Sequence, residues 1–237
     1  VNAHSKSEFH EVRIYAPPQS GEKVAWACVT FSADTNQESD QSAAVVVRAR
    51  DQKVVATYTA RVSEPVLRQQ IFLLYRWYFN AYYAVELKGQ GFNLQRALIE
   101  MGARNVYYWK REDVDPAEFT QSKYPGWETN GRTRPLMDGV LLETICYRDP
   151  NTNKPMPQSV VQDKQLLRQL QDLSWTNTGS LKSRNGHDDL VDAYAIALLL
   201  LRDPFSGLTK RTESESAKEK RELEESIARW SGKPIRD

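Results

Sequence analysis

Gly186-His187-Asp188-Asp189-Leu190-Val191-Asp192 gathers three carboxylates and an imidazole directly before an apolar run that ends at Leu201. Gly186 reads as a breaker and Asp188 or Asp189 as a helix N-cap. The Ala- and Leu-rich residues that follow read as a helix. On a helix, Asp192 lies one turn from Asp188 and Asp189. Carboxylates held that close repel one another unless a positive group lies between them, and a divalent cation is one such group. The plainer alternative is a cap and a solvated first turn, favoured by the helix dipole.

Two further acids share this logic. Asp34 follows an apolar strand-like run, and Glu86 follows Tyr82-Tyr83-Ala84-Val85. A strand that ends in a carboxylate puts that group at the rim of a sheet, where sites in α/β folds form. If the two strands are neighbours, Asp34 and Glu86 share a cleft, and the acidic helix can bring a third carboxylate to it. Carboxylates meeting at one point suit Mg²⁺ or Mn²⁺, and a pair of such ions roughly 4 Å apart can hydrolyse a phosphodiester. Each residue also has an ordinary reading. Asp34 and Asp40 can close Asx-turns, and His187 can simply begin a helix or act as a ligand or proton donor. Asp192 can pair with a basic neighbour instead of facing the site. Glu86 is the least ordinary, because Glu is poor strand chemistry. Lys88, Lys123, Arg132, Arg134, Lys182 and Arg184 fall in expected loops near these acids, with Tyr124 and Trp127 among them. They can hold phosphates and sugars or be solvated loop charges.

The elements that must position these groups follow from composition and pattern. At 237 residues the chain fits one large domain with appendages, and 40% hydrophobic residues suffice for a core. A net charge of +1 rules out a broadly basic polyanion binder, so such contacts must come from local patches or metals. Cys28 and Cys146 read as two buried thiols, and no cysteine–histidine spacing suggests zinc. No apolar run reaches the roughly 18 residues of a membrane span, and the polar start is no signal peptide. No G-x-x-x-x-G-K-[ST] phosphate loop occurs, so ATP hydrolysis is not expected. The chain begins at Val1, which suggests a fragment lacking an upstream domain.

Residues 1–23 read as a lead-in with a short strand at 11–16, and residues 24–208 as the main domain. Strands are predicted at 24–32, 42–50 and 54–62, an antiparallel meander. A helix from Pro65 to about Asn80, a strand at 82–87, a helix at 92–101 closed by Gly102 and a short strand at 106–109 follow. Strand, helix, strand suggests a parallel crossover, hence an α/β class. Residues 111–130 read as irregular, 133–145 as a helix, 149–157 as a loop or hairpin and 163–173 as a helix. Residues 175–184 read as a hairpin with Gly179 at its tip, before the acidic helix at 188–201. Residues 209–237 are dense in both charges and read as an exposed helix or tail.

Four stretches carry a family resemblance: Ala33-Asp34-Thr35 with Ser39-Asp40-Gln41-Ser42-Ala43; Val85-Glu86-Leu87-Lys88-Gly89-Gln90-Gly91; Gly126-Trp127-Glu128-Thr129-Asn130-Gly131-Arg132-Thr133-Arg134-Pro135; and His187-Asp188-Asp189-Leu190-Val191-Asp192-Ala193. In this order, over about residues 24–201, they resemble the nuclease domain of the large terminase subunit, the DNA-packaging motor of tailed bacteriophages. Where that family often has a glycine soon after the first Asp, this chain has Thr35-Asn36-Gln37-Glu38. The resemblance implies an RNase H-like fold, akin to RuvC-type resolvases and integrases: a central mixed sheet, antiparallel meander plus parallel strands, flanked by helices. It implies metal-dependent cleavage of double-stranded concatemeric DNA. Asp34, Glu86 and Asp189 match the catalytic acids that hold Mg²⁺ or Mn²⁺, two ions in all. Asp40, Asp188 and Asp192 match auxiliary positions, with His187 beside them, and the six basic residues would contact DNA. The implied partners are an upstream ATPase domain, the small terminase subunit and the portal, in the cytoplasm of the infected host, with no membrane. The rivals are another RNase H-like nuclease, such as a junction resolvase or transposase, and a non-catalytic module that docks on the portal.

Overall fold

In the predicted meander small and β-branched side chains alternate without a polar face, which is the pattern of strands covered on both sides. A computed structural model describes residues 9–30, 41–108, 125–156, 158–184 and 186–203. β2 (Val24–Val29), β3 (Ser42–Arg48) and β4 (Val54–Arg61) form the expected antiparallel meander. β5 (Tyr82–Val85) adds to β2 in parallel, and β1 (Phe9–Ile14), drawn from the lead-in, adds antiparallel to β4. The sheet order is β1-β4-β3-β2-β5.

Alternate residues of β2 feed two separate cores. Trp26 and Cys28 face α1 (Glu64–Trp77) and α2 (Gly91–Glu100), where Trp26 stacks on Tyr83 with ring centroids 4.7 Å apart. Ala25, Ala27 and Val29 face α5 (Asp189–Arg202), supported by α3 (Arg134–Ile145) and α4 (Lys164–Gln171). The small side chains of β2 and β3 on this face let α5 lie close, so an almost wholly apolar helix is buried. β6 (Leu173–Trp175) and β7 (Leu181–Ser183) form the expected hairpin, with Gly179 at φ +76° in its turn.

Asp163 ties the layers together. Wholly buried, it accepts hydrogen bonds from Thr57 Oγ1 and Tyr15 Oη at 2.6 Å each and from the Leu166 amide at 2.7 Å, and it pairs with Arg13 at 3.2 Å. It is thus both the N-cap of α4 and the anchor of the β1 end.

Three expectations change. The strand expected at 106–109 reduces, over its described residues, to isolated bridges of Val106 with Tyr83 and of Tyr108 with Pro125 and Gly126, because the outer edge of β5 is shared. Tyr83 bonds to Asn105 and Tyr107, and Val85 and Leu87 bond instead to Trp127. Residues 125–127, expected to be irregular, therefore continue the sheet. Cys146 is exposed, because it caps the surface end of α3, whereas Cys28 is buried; both thiols are free. Among the described residues no helix is long and apolar enough to cross a membrane.

Candidate functional site

Glu86 follows the last residue of β5, and because β2 and β5 run parallel their carboxyl ends share one edge of the sheet. Its amide donates to the Cys28 carbonyl at 2.8 Å, and the next amide, Leu87, donates to the Trp127 carbonyl at 2.6 Å. Glu86 is thereby held on both flanks and is 7% exposed. Two glycines make the fit possible. A Cβ at Gly91 would stand 1.8 Å from the Glu86 carbonyl oxygen. Gly126 has φ +119°, and a Cβ there would meet Leu87 Cδ2 at 2.7 Å and the Val85 carbonyl oxygen at 2.8 Å. Gly91 and Gly126, one from each of two quoted motifs, are therefore steric requirements of the Glu86 backbone.

Gly186, at φ +75°, turns the chain into α5. Asp188 occupies the N-cap position but makes no side-chain cap. The buried Gln169 of α4 does so instead, its Oε1 accepting from the Leu190 and Val191 amides at 3.0 and 3.3 Å. Two cations of the chain itself lie against the acids of this turn. Lys182 Nζ is 3.1 Å from Asp188 Oδ2, and an Arg134 terminal nitrogen is 2.6 Å from Asp192 Oδ1. Burial pushes the Asp192 carboxyl up to about 6, with Arg134 and Lys182 pulling down and Asp188 and Glu86 adding like charge. α5 packs on β2 and β5 with its far end tied to the start of β5, where Tyr82 Oη donates to Asp203 Oδ2 at 2.5 Å, so its acidic first turn lies toward the carboxyl end of β5, the edge that Glu86 occupies. Asp189 opens the helix, half-buried, with half-buried His187 just before it.

The basic residues divide. Lys88, Arg132 and Arg184 are exposed, as expected of loops; Lys182 is exposed too but lies in β7 rather than in a loop, because the hairpin strand runs through it. Arg134 is not in a loop. It is the first residue of α3 and is buried, because its guanidinium is spent on Asp192, the Leu181 carbonyl at 2.5 Å and Asp138 at 3.1 Å. It has no face left for a phosphate. Trp127 likewise belongs to the core beside Met137 and Tyr194, not to a sugar-binding surface. Asp34, Asp40, Lys123 and Tyr124 lie outside the described residues. Sequence reasoning missed Asp138 and Gln169, both buried in helices with nothing local to mark them.

The described donors are carboxylate oxygens, mostly shielded from water and negatively charged, which fits a hard divalent cation. Among the described residues alone, no three Asp, Glu, His or Cys side chains close on one point. The expected partner Asp34 belongs to the stretch that is not described.

No family model matches the sequence, and no curated protein matches it. Solved structures do match in shape. The large terminase nuclease from thermophilic phage G20c with bound cobalt is 16% identical, with a TM-score of 0.55 over 79% of this chain and 86% of that one. The same nuclease with bound magnesium is 15% identical, with a TM-score of 0.53 over 79% and 86%. The Thermus phage P74-26 large terminase nuclease domain is 15% identical, with a TM-score of 0.53 over 80% and 85%. The described chain therefore has the RNase H-like fold of the large terminase nucleases.

Proposed function

We propose that the chain is a metal-dependent endonuclease domain of a phage DNA-packaging terminase that hydrolyses double-stranded, concatemeric DNA. The observation that carries this reading is the placing of Glu86, at the parallel edge of the sheet, on the side to which α5 brings its acidic start. It is supported by a fold shared with terminase nucleases, one of which is seen with bound cobalt or magnesium.

In this reading Asp34, Glu86 and Asp189 would hold Mg²⁺ or Mn²⁺, as two ions. Such ions supply positive charge at the scissile phosphate and make the attacking water more acidic. The chain's own groups do the rest. Asp192, neutralised by Arg134, and Asp188, beside Lys182, build the wall behind the donors. His187, at the mouth of the helix, can pass a proton to the leaving oxygen. Asp40 stands as a further auxiliary acid. Exposed Lys88, Arg132 and Arg184, with Lys182 and Lys123, would grip phosphates and position the duplex with little sequence readout. An upstream ATPase domain, the small terminase subunit and the portal would be its partners in the host cytoplasm.

Cleavage of supercoiled plasmid with Mn²⁺ or Mg²⁺ tests the reading. Wild type should nick and linearise plasmid, and Asp34→Ala, Glu86→Ala and Asp189→Ala should not. Intact plasmid with every metal, or variants that cut as well as wild type, sinks the catalytic reading. A marked preference for four-way junctions over linear duplex would favour a resolvase.

A further inference from the structure

The segment from Gly126 to Asp138 touches both halves of the acidic site. At its head, Trp127 pairs in parallel with Glu86, exchanging backbone bonds with Val85 and Leu87. At its foot, Arg134 and Asp138 reach α5 and β7. The turn between them is closed by its own side chains. Buried Thr133 donates from Oγ1 to the Glu128 carbonyl at 2.6 Å and accepts from the Asn130 amide at 2.8 Å. Asn130 Oδ1 accepts from the Arg132 and Thr133 amides at 2.9 and 3.2 Å. The segment is therefore a stiff spacer between Glu86 and α3.

Arg134 carries that spacing onward. One terminal nitrogen donates to Asp192 Oδ1 at 2.6 Å and the other to the Leu181 carbonyl at 2.5 Å, while Nε lies 3.1 Å from Asp138 Oδ1. Asp138 Oδ2 accepts from the Leu181 amide at 3.1 Å, so the pair holds both backbone groups of that residue. Leu181 opens β7, which runs through Lys182 toward the acidic turn. The side chain is 10% exposed, and its planar fork donates to two fixed partners while its Nε forms an ion pair with Asp138, a set that a lysine ammonium cannot meet together. A buried ion pair is a poor stabiliser compared with apolar packing, so its use here points to placement of groups.

We infer that Arg134 is a positioning residue. It fixes Asp192, and with it the first turn of α5, at a set distance from Glu86, so that the carboxylates are preorganised for a divalent cation. This rests on the nuclease reading above.

The test is Mn²⁺ binding by electron paramagnetic resonance on the full chain, with Arg134→Gln, Arg134→Lys, Asp192→Asn and the Arg134→Gln/Asp192→Asn double variant. Circular dichroism and thermal melts without metal run in parallel. Loss of a group that orients a metal ligand typically weakens affinity about 10- to 100-fold, and Arg134→Gln should do so while still folded. In the Asp192→Asn background the same change should weaken affinity less than about threefold, because Arg134 acts through Asp192. Arg134→Lys keeps the charge without the fork and should fall between. Should Arg134→Gln fail to fold, Arg134→Lys alone decides: weakened affinity supports the inference, and wild-type affinity overturns it. Wild-type affinity in folded Arg134→Gln, or an equal loss with and without Asp192, also overturns it. A wild-type chain that binds no Mn²⁺ fails the nuclease reading itself, whereas a binding wild type with indifferent Arg134 variants fails the positioning role alone.

Discussion

Positions 91 and 126 decide whether Glu86 can stand where it does. At Gly91 the obstacle is backbone, the Glu86 carbonyl 1.8 Å from an added Cβ, so no rotamer change relieves it. Gly91→Ala should cost at least the roughly 1–3 kcal/mol of an overpacked site and abolish plasmid cleavage, read by urea unfolding and by the nicking assay. A stable, active Gly91→Ala enzyme would show that the Glu86 backbone has slack. Asp163 makes a prediction in pH. Burial works against its ionised form, but Thr57, Tyr15, the Leu166 amide and Arg13 outweigh this and hold its carboxyl below the usual range. A depressed folded-state value contributes stability above about pH 4 that is lost as pH falls through the folded value. Asp163→Asn should therefore destabilise by about 1.5–3 kcal/mol at pH 7, and the gap should shrink by pH 3. An equal gap at both pH values, measured by urea titration, rules this out. Glu86 was legible in the sequence because a carboxylate closing Tyr-Tyr-Ala-Val has no strand reason to be there. Arg134 was not legible. It falls at the start of the helix expected at 133–145, but its partners Asp192 and Leu181 are 58 and 47 residues away, so nothing local marks what it holds.

At the scale of elements, α5 depends on a cap borrowed from another helix. Replacing Gln169 with Ala would strip the acceptor from the Leu190 and Val191 amides in a buried place. The expected loss is about 1–3 kcal/mol, with faster hydrogen exchange at those two amides and little change in β1 or β4. Unchanged exchange there would mean that Asp188 caps after all. The meander, the hairpin around Gly179 and the apolar helix were legible because each repeats its pattern over enough residues and ends in clear turn chemistry. The edge beyond β5 was not legible. Two short stretches, near Val106 and at Trp127, share it, and neither is long enough to show a period. The lead-in strand was legible in outline, but its partner Asp163 lies some 150 residues on and joins it only through the fold.

For the whole molecule, the net charge of +1 bounds how strongly the chain can attract a polyanion such as the proposed DNA substrate. With a few exposed cations around the site and no broad basic field, this chain alone should bind linear duplex no tighter than the roughly 10⁻⁴–10⁻⁶ M of non-specific electrostatic binding at physiological salt. Fluorescence anisotropy giving nanomolar affinity for the isolated chain would show that the site needs no partner to hold DNA. The parallel pairing of β2 with β5 has one more consequence, and it concerns time. The acids Glu86 and Asp192 come from distant parts of the chain, and the brace between them is anchored at Trp127, Arg134 and Leu181. Contacts that far apart close late, because long loops must be ordered first. Until α5 is made, one whole face of β2 and β3 has nothing to cover it. In the proposed reading, the acids would therefore come together only once α5, the last of the described helices, has packed on the sheet.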